Sequence, residues 1–352
     1  LVARQAHEAT ITGLAVSSDG LRLATTSGDK TARVWDARTG APLATLEGHT
    51  AATWSPAFRP GTGELATLGS DGSVRVWDLR EPREVRRLAR LGNGMGALAW
   101  SPDGALLCAT TWTFEKDRGV VGWIHLWDFA ADRLLWKGEY GVKPITTVAF
   151  RPDGRQVAVG TWDGWVGFFA VPGDGRPSAE AKFPIDGDTY PAMQHVVYSP
   201  DGTRLVATAK DNLARVLSTA DGTLSREVRG HDRWVNGAAF ATSGAWLATA
   251  SSDQTIRIWD PATGKPLRTL HGHTTSVNAL AVLPDGSRLV SAAADGTLRW
   301  WDTALADTGR TSWRHAGNVY GLDFSPDGTR GVTAAWGGAL TAWDTASGAK
   351  LW

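Results

Sequence analysis

A strand that ends in Trp-Asp, or in a degenerate form of that pair, recurs eight times along this chain of 352 residues. The strand ends fall at Trp35, Trp77, Trp127, Phe169, Leu217, Trp259, Trp301 and Trp343. Successive ends are 42, 50, 42, 48, 42, 42 and 42 residues apart. So regular a period over the whole chain predicts an array of one structural unit rather than a mixture of unrelated segments.

Each copy carries the same internal order of strand and turn signals. In the sixth copy, apolar runs at 235–240, 246–250, 255–259 and 266–270 are separated by turn residues, and Gly-His opens the unit at 230–231. Ser-Pro-Asp-Gly or Arg-Pro-Asp-Gly recurs between the first two strands at 101–104, 151–154, 199–202 and 325–328. Proline presets the turn backbone and glycine accepts a positive φ. The pattern predicts four short antiparallel strands per copy, which is one propeller blade.

Composition excludes several other classes of protein. The 36 basic and 36 acidic residues balance, so no net basic charge favours nucleic acid as a partner. No apolar run approaches the roughly 18 residues that span a bilayer, so we expect no membrane partner. A single cysteine, Cys108, excludes an internal disulfide framework. It fits a reducing compartment, and we expect a cytoplasmic location.

Together, the Gly-His opening, the Ser-Pro-Asp-Gly turn, the aspartate of the tight turn and the Trp-Asp close resemble the WD40 repeat family over essentially the whole chain. High Ala, Gly, Arg and Asp with few Lys makes the resemblance one to bacterial members. In that family a His, a Ser or Thr, an Asp and a Trp form a hydrogen-bonded set in each blade. The matching sets here are His7, Thr25, Asp29 and Trp35; His49, Thr67, Asp71 and Trp77; His231, Thr249, Asp253 and Trp259; and His273, Ser291, Asp295 and Trp301.

The resemblance implies an all-β fold, an eight-bladed β-propeller of four-stranded antiparallel blades. Residues 1–352 form a single WD40 β-propeller domain, in which the N-terminal residues 1–4 supply the fourth strand of the last blade. That pairing removes an exposed strand edge. The alternative is seven blades with an eighth unit displaced, since residues 351–352 align with the same strand.

Catalytic and metal-binding signatures are not evident. The chain lacks the His-Glu-x-x-His, phosphate-loop and Gly-x-Ser-x-Gly patterns, and its remaining histidines have no second ligand at suitable spacing. We therefore expect no enzyme activity, no catalytic residue, no metal and no cofactor. An enzyme with its site in the central channel remains an alternative, as does a purely structural ring that bridges subunits.

Aromatic residues point to a partner-binding face. In WD40-like propellers, the residue before the turn aspartate and two positions after the opening histidine lie on the top face, around the mouth of the channel. Exposed aromatic clusters beside polar groups are typical partner sites. The candidate binding residues are Trp54, Trp112, Trp162, Gln194, Lys210, Arg233, Trp234, Asn236, Tyr320 and Trp336. The alternative is that these rings only fill space between blades.

Two insertions fall in neighbouring copies, the third and the lead into the fifth, near several of these candidate residues. The third copy has eight extra residues around 113–119, expected as a longer loop beside Trp112, and six more precede the fifth copy in the lead into Tyr190. Long loops on a rigid scaffold often carry binding residues.

These observations predict a non-enzymatic interaction or sensor scaffold. Its aromatic top face would bind a protein segment, or alternatively a small ligand, as the sensor region of a larger bacterial signalling or defence protein.

Overall fold

A computed structural model shows how the repeats fold. It describes residues 7–9, 11–17, 19, 21–36, 41–88, 91–92, 96–140, 144–171, 177–182, 191–282, 288–294, 297–302, 310–314, 318–325, 327–335 and 339–351. The chain divides into two compact units, one formed by Leu1–Arg90 with Leu270–Trp352 and the other by Leu91–Thr269.

The discontinuous unit contains four sheets. Its strands are β1 (Ile11–Val16), β2 (Arg22–Ser27), β3 (Ala32–Asp36), β4 (Pro42–Leu46), β5 (Thr53–Phe58), β6 (Glu64–Gly69), β7 (Val74–Asp78) and β8 (Arg83–Leu88) from the N-terminal part. The C-terminal part adds β25 (Val277–Val282), β26 (Arg288–Ala293), β27 (Thr297–Asp302), β28 (Arg310–Arg314), β29 (Val319–Phe324), β30 (Arg330–Ala335) and β31 (Ala339–Asp344).

The continuous unit contains four more sheets. Its strands are β9 (Leu98–Trp100), β10 (Leu106–Glu115), β11 (Gly119–Asp128), β12 (Arg133–Glu139), β13 (Ile145–Phe150), β14 (Gln156–Thr161), β15 (Trp165–Ala170) and β16 (Pro177–Lys182). They are followed by β17 (Met193–Tyr198), β18 (Arg204–Ala209), β19 (Ala214–Ser218), β20 (Leu224–Val228), β21 (Val235–Phe240), β22 (Leu247–Ser251), β23 (Ile256–Trp259) and β24 (Pro266–Leu270).

Each sheet is a meander of consecutive antiparallel strands, as the repeat predicts. The Pro-Asp-Gly turns have the expected geometry: the Gly202 N–H donates to the Ser199 carbonyl at 2.8 Å, and Gly202 has φ +69°. The core lies between neighbouring sheets. In the continuous unit, Val206, Val216 and Trp259 bury one such interface between β17–β20 and β21–β24. The prediction of an all-β propeller built from antiparallel blades is therefore confirmed.

The prediction of eight four-stranded blades is wrong. The described residues form seven four-stranded blades, and the C-terminal sheet β29-β30-β31 has three strands. After β31 the chain turns, with the Gly348 N–H donating to the Asp344 carbonyl at 2.8 Å. Lys350 then pairs with Trp343 through one isolated bridge, which is too short to form a strand. The expected N-terminal partner strand, residues 1–4, lies outside the described residues.

The three-stranded sheet packs on both of its neighbours in the discontinuous unit. Val319, Phe324 and Trp343 share an apolar cluster with Val290 of β26. On the other side, Val332, Leu340 and Ala342 cluster with Leu23 and Trp35 of the β1–β4 sheet. A hydrogen bond crosses this second interface, since the Val16 N–H donates to Oδ2 of Asp323 at 2.9 Å. The C-terminal sheet is thus joined to the N-terminal sheet by apolar packing and by a polar contact.

The glycine of each Gly-His pair leaves room for an arginine that recurs on the third strand of the blade. A Cβ on Gly230 would lie 2.9 Å from Nη1 of Arg257, and a Cβ on Gly272 would lie 2.7 Å from Nη1 of Arg299. Gly230 also has φ +150°, a conformation that other residues rarely adopt. Glycine is therefore required before the histidine both for its backbone and for the guanidinium beside it.

In the fourth copy the small and the large residue exchange places between these two positions. Glycine occupies the arginine position at Gly167, and Tyr140 occupies the position of the Gly-His glycine. A Cβ on Gly167 would lie 2.5 Å from Cζ of Tyr140, so the tyrosine ring fills the space that arginine takes elsewhere. Tyr140 contacts Phe169 edge to face at 5.3 Å. This blade is held by packing where its hydrogen-bonded set is incomplete.

The insertion in the third copy does not form the expected long loop. It lengthens β10 and β11 into ten-residue strands that pair in register from Leu106↔Asp128 to Glu115↔Gly119. The run from Thr111 to Phe114 is rich in β-branched and aromatic residues, and Gly119 takes φ +75° at the turn. The extra residues therefore pair as a hairpin. The second insertion falls largely on residues 172–176 and 183–190, outside the described residues.

None of the described residues forms a helix long and apolar enough to cross a bilayer.

Candidate functional site

Four histidines belong to hydrogen-bonded sets that hold the blades together. In the first copy, Trp35 Nε1–H donates to Oγ1 of Thr25 at 2.9 Å, and the same hydroxyl lies 2.8 Å from Nε2 of His7. His7 Nδ1 lies 2.8 Å from Oδ2 of Asp29. Because the Asp29 carboxylate can only accept, His7 donates from Nδ1, and the unprotonated Nε2 of the neutral ring accepts from the Thr25 hydroxyl, whose oxygen accepts from Trp35. The indole N–H of Trp35, the hydroxyl of Thr25, both ring nitrogens of His7 and the Asp29 carboxylate are thus all hydrogen-bonded within this set.

Protonation follows from burial and from these hydrogen bonds. Burial lowers the pKa of His7, and the nearby Asp29 carboxylate offsets that effect only in part. Burial alone would raise the pKa of Asp29, but hydrogen bonds from Thr31 and His7 lower it to about 2. A neutral imidazole beside a charged carboxylate is the state that this donor order requires.

The sets predicted in the second and sixth copies are also confirmed, as are the histidine, serine and tryptophan of the seventh. His49 Nε2 lies 3.0 Å from Thr67 Oγ1, His231 Nε2 2.7 Å from Thr249 Oγ1, and His273 Nε2 2.7 Å from Ser291 Oγ. Trp77, Trp259 and Trp301 donate to the same hydroxyls. Asp71 and Asp253 complete their sets, and Asp295 lies outside the described residues. These histidines are structural and are not available to a ligand.

Equivalent positions on three successive blades of the continuous unit present the candidate binding side chains. Trp162, Lys210 and Ser252 lie at the ends of β14, β18 and β22. Their N–H groups donate to the carbonyls of Pro144, Ala192 and Trp234, at 2.9, 3.2 and 2.9 Å respectively. Each of these hydrogen bonds joins the end of a blade's second strand to the residue at or near the start of its first strand. Trp162, Lys210 and Ser252 are therefore held at equivalent points of adjacent blades, with Trp234 directly before β21.

Trp162 and Trp234 are both about half exposed, at 48% and 49%. The Lys210 ammonium lies between them, 5.2 Å from the centroid of the Trp162 ring and 4.7 Å from that of the Trp234 ring. Both distances are within the range of a cation–π interaction. Large tryptophan rings left this exposed are unusual in a structure that buries most of its aromatics.

A pocket of about 510 Å³ opens beside this row of side chains. It is lined by Asn212, Asp232, Arg233, Trp234 and Ser252. Asn212 Nδ2 donates to the Asp232 carbonyl at 3.2 Å and so links the turn after β18 to the segment before β21. We call Trp162, Lys210 and the five lining residues the tryptophan–lysine site. Its volume suits one or two side chains of a partner.

The structure brings some of the predicted binding residues together at this site. Arg233 and Trp234 line the pocket, Lys210 and Trp162 lie beside it, and Asn236 Nδ2 donates to Oγ of Ser252 at 3.1 Å. Gln194 is half-buried, and its Nε2 lies 3.4 Å from the carbonyl of Met193. The binding role of all these residues stays a prediction.

The other predicted binding residues lie elsewhere or are not described. Trp54, in the discontinuous unit, is half-buried and donates from Nε1 to Oγ of Ser70 at 2.9 Å. Trp112 is half-buried on β10 and does not line the pocket. Tyr320 belongs to β29, but its side chain is outside the described part of the structure, as is Trp336 altogether.

Asn212, Asp232 and Ser252 were missed by the sequence analysis. Ser252 occupies the position before the turn aspartate that singled out Trp162, so its register alone identifies it. Asn212 has φ +69° and would be read as a turn residue, which conceals the second role of its amide. Among the described residues, no cluster of histidine, cysteine and carboxylate side chains is arranged to hold a metal ion.

Comparison with known proteins places the repeats in context. The family model described as WD domain, G-beta repeat matches residues 2–36, 40–78, 137–169, 222–260, 264–302 and 310–344, which is more than half of the chain. Among solved structures, the computationally designed Ika8 protein is similar, with a TM-score of 0.79 and 25% identity. The match covers 96% of this chain and 97% of Ika8.

Curated relatives match the chain over only part of their length. The chain is 25% identical over 172 residues to the WD repeat-containing protein SL1-17 of Schistosoma mansoni, which covers 49% of the chain and 54% of that protein. It is 24% identical over 222 residues to eukaryotic translation initiation factor 3 subunit I of Aspergillus terreus, with 60% and 63% covered. The chain thus spans less than two thirds of either relative. Both are eukaryotic and lend no support to the expected bacterial affiliation.

Proposed function

Because the chain belongs to the WD40 repeat family, we propose that it is a non-enzymatic scaffold that binds a protein segment at the tryptophan–lysine site. The observation that carries the proposal is the pair of half-exposed indoles, Trp162 and Trp234, on either side of Lys210 and next to an open pocket. Tryptophan and arginine are the residues most enriched among those that dominate binding energy at protein interfaces.

Rigid support strengthens this proposal. The rings project from strand ends whose backbone is held by the repeated hydrogen bonds to Pro144, Ala192 and Trp234. Beneath them, the buried set of His231, Thr249 and Trp259 holds one of the contributing blades. A site held in place before binding loses little conformational freedom when a partner docks, which favours affinity. The relative named as a translation initiation factor subunit fits a role in assembling with other proteins.

The test uses peptides displayed on phage and selected against the intact protein. Selected peptides are synthesised, and their affinity is measured by calorimetry for the wild type and for a Trp162→Ala, Trp234→Ala double variant. We expect a loss of at least about tenfold, since truncating one dominant aromatic residue at an interface costs 2 kcal/mol or more.

The matched control is Trp123→Ala. Trp123 is also half-buried beneath a lysine, with Lys137 Nζ 3.8 Å from its ring centroid, but it does not line the pocket. Circular dichroism and thermal melting are used to check that each variant is folded. Peptides that bind the double variant and the wild type equally would contradict the proposal.

A further inference from the structure

The cations of the tryptophan–lysine site have no carboxylate partner among the described residues. Neither the Lys210 ammonium nor the Arg233 guanidinium forms an ion pair there. Asp211, adjacent to Lys210 in sequence, is bound by the guanidinium of Arg215, and both side chains are buried. The carboxylate next in sequence to Lys210 is thus already committed to a structural contact.

One acidic side chain, Asp232, lines the pocket together with Arg233, and the Lys210 ammonium lies over the ring of Trp234, another lining residue. Asp232 is exposed, and its N–H donates to Oδ2 of Asp253, which is itself bound to His231. The Asp253 charge therefore belongs to the blade's buried set rather than to the pocket. Lys210 and Arg233 against Asp232 leave one unbalanced positive charge at the site.

The position of Lys210 decides between ligand charges. Its ammonium already occupies the space between the faces of Trp162 and Trp234, where a ligand cation would otherwise bind. A cationic ligand would have to displace that ammonium and approach Arg233. A carboxylate can instead pair with Lys210 and Arg233 while the apolar part of its side chain, or a neighbouring apolar residue, packs on the indoles.

We propose that the partner of this site is an acidic peptide segment in which an aspartate or glutamate adjoins an apolar side chain. The inference rests on the proposed function and adds the chemical class of the partner. The pocket volume of about 510 Å³ fits such a pair of side chains.

The experiment compares three series of synthetic peptides derived from the phage selection, identical except that the acidic position is Glu, Gln or Lys. Binding is measured by calorimetry to the wild type, to Lys210→Met and to Arg233→Leu. Lys137→Met is the matched control, because it removes a lysine from above a tryptophan away from the pocket.

We expect the Glu peptide to bind about tenfold or more tightly than the Gln peptide to the wild type, since hydrogen bonds to charged groups are the stronger ones. That preference should weaken in both Lys210→Met and Arg233→Leu, because each removes one of the two cations, and it should persist in Lys137→Met. Raising the salt concentration should weaken the Glu peptide only, because salt screens exposed charges.

The outcomes separate this inference from the proposed function. Peptides that need Trp162 and Trp234 but bind equally well as Glu, Gln and Lys would overturn the acidic class and leave the binding site intact. A Glu preference that survives both Lys210→Met and Arg233→Leu would overturn the assignment of these two cations. Peptides indifferent to Trp162 and Trp234 would overturn the proposed function itself.

Discussion

Thr249→Val tests whether the buried hydrogen-bonded sets stabilise the blades. The hydroxyl of Thr249 accepts a hydrogen bond from Trp259 Nε1 at 2.8 Å and lies 2.7 Å from His231 Nε2. Valine has nearly the same shape, so the substitution removes both contacts and creates no cavity. It leaves one buried indole N–H and one buried imidazole nitrogen without their partner.

The expected loss is about 1–5 kcal/mol of unfolding free energy. Each buried polar group left unsatisfied costs roughly 1–3 kcal/mol, and the added methyl recovers about 0.8 kcal/mol. Such a loss is a large fraction of the stability of an ordinary domain. Urea unfolding followed by circular dichroism measures it, provided that the slope of the transition is unchanged.

Thr208→Val is the matched control. Thr208 is fully buried on β18 of the neighbouring blade, but its hydroxyl has no hydrogen-bond partner among the described residues. Valine there removes an unsatisfied polar atom and should be neutral or slightly stabilising. Equal losses in the two variants, or a loss below about 0.5 kcal/mol for Thr249→Val, would refute the reasoning that the hydrogen bonds rather than the packing hold the blade.

Three further predictions concern groups outside these sets. Burial lowers the pKa of His125 to about 4, so its folded form excludes a proton that the unfolded chain accepts near pH 6.5. Lowering the pH from 7 to 5 should therefore reduce the unfolding free energy by about 2 kcal/mol through this residue. In His125→Phe, urea unfolding at the two pH values should show a loss that is smaller by about that amount. Burial raises the pKa of Asp323 to about 6, and this contribution has the opposite sign: it is complete below pH 4 and is lost as the pH rises through 6. Asp323→Asn removes this titration, so the unfolding free energy of the variant minus that of the wild type should rise by up to about 3 kcal/mol between pH 4 and pH 8, and unfolding measured at both pH values tests this. Gly167→Ala should cost about 1–3 kcal/mol because its methyl meets the Tyr140 ring, and a double-mutant cycle with Tyr140→Gly should remove most of that cost; an unchanged cost in the Tyr140→Gly background would show that the ring is not the obstacle.

Strand boundaries and buried sets could be predicted because both are local and repeat with a period of 42 residues. In the sixth copy, Pro266–Leu270 is a strand as expected, and the Thr249 hydroxyl lies where the repeat requires it. The number of strands in the last sheet could not be predicted, because it depends on which distant segment pairs beside β31. A sequence pattern gives the tendency of a segment to be a strand but not its partner.

The β10–β11 hairpin and the pocket are two other features that could not be predicted fully from the sequence. The β-forming residues around Trp112 and Val121 were visible in the sequence, yet length alone suggested a loop. Trp162 and Trp234 could be identified from their register, but the contribution of Asn212 could not. Its side chain bonds to a carbonyl twenty residues away, and that contact exists only once two blades are side by side.

The hydrogen bond from Val16 to Asp323 has a consequence for the order in which the molecule can be built. Its two ends are separated by 307 residues, and the unit that contains them is interrupted by the whole of Leu91–Thr269. During synthesis the continuous unit can gather its contacts before the C-terminal sheet β29-β30-β31 has been made, whereas the face of the β1–β4 sheet that packs on this C-terminal sheet can be covered only afterwards. Until then, one face of the β1–β4 sheet, including Leu23, has no cover from the C-terminal sheet. Over that interval this apolar face of the β1–β4 sheet can associate with other chains, and the risk ends when the C-terminal sheet packs on it.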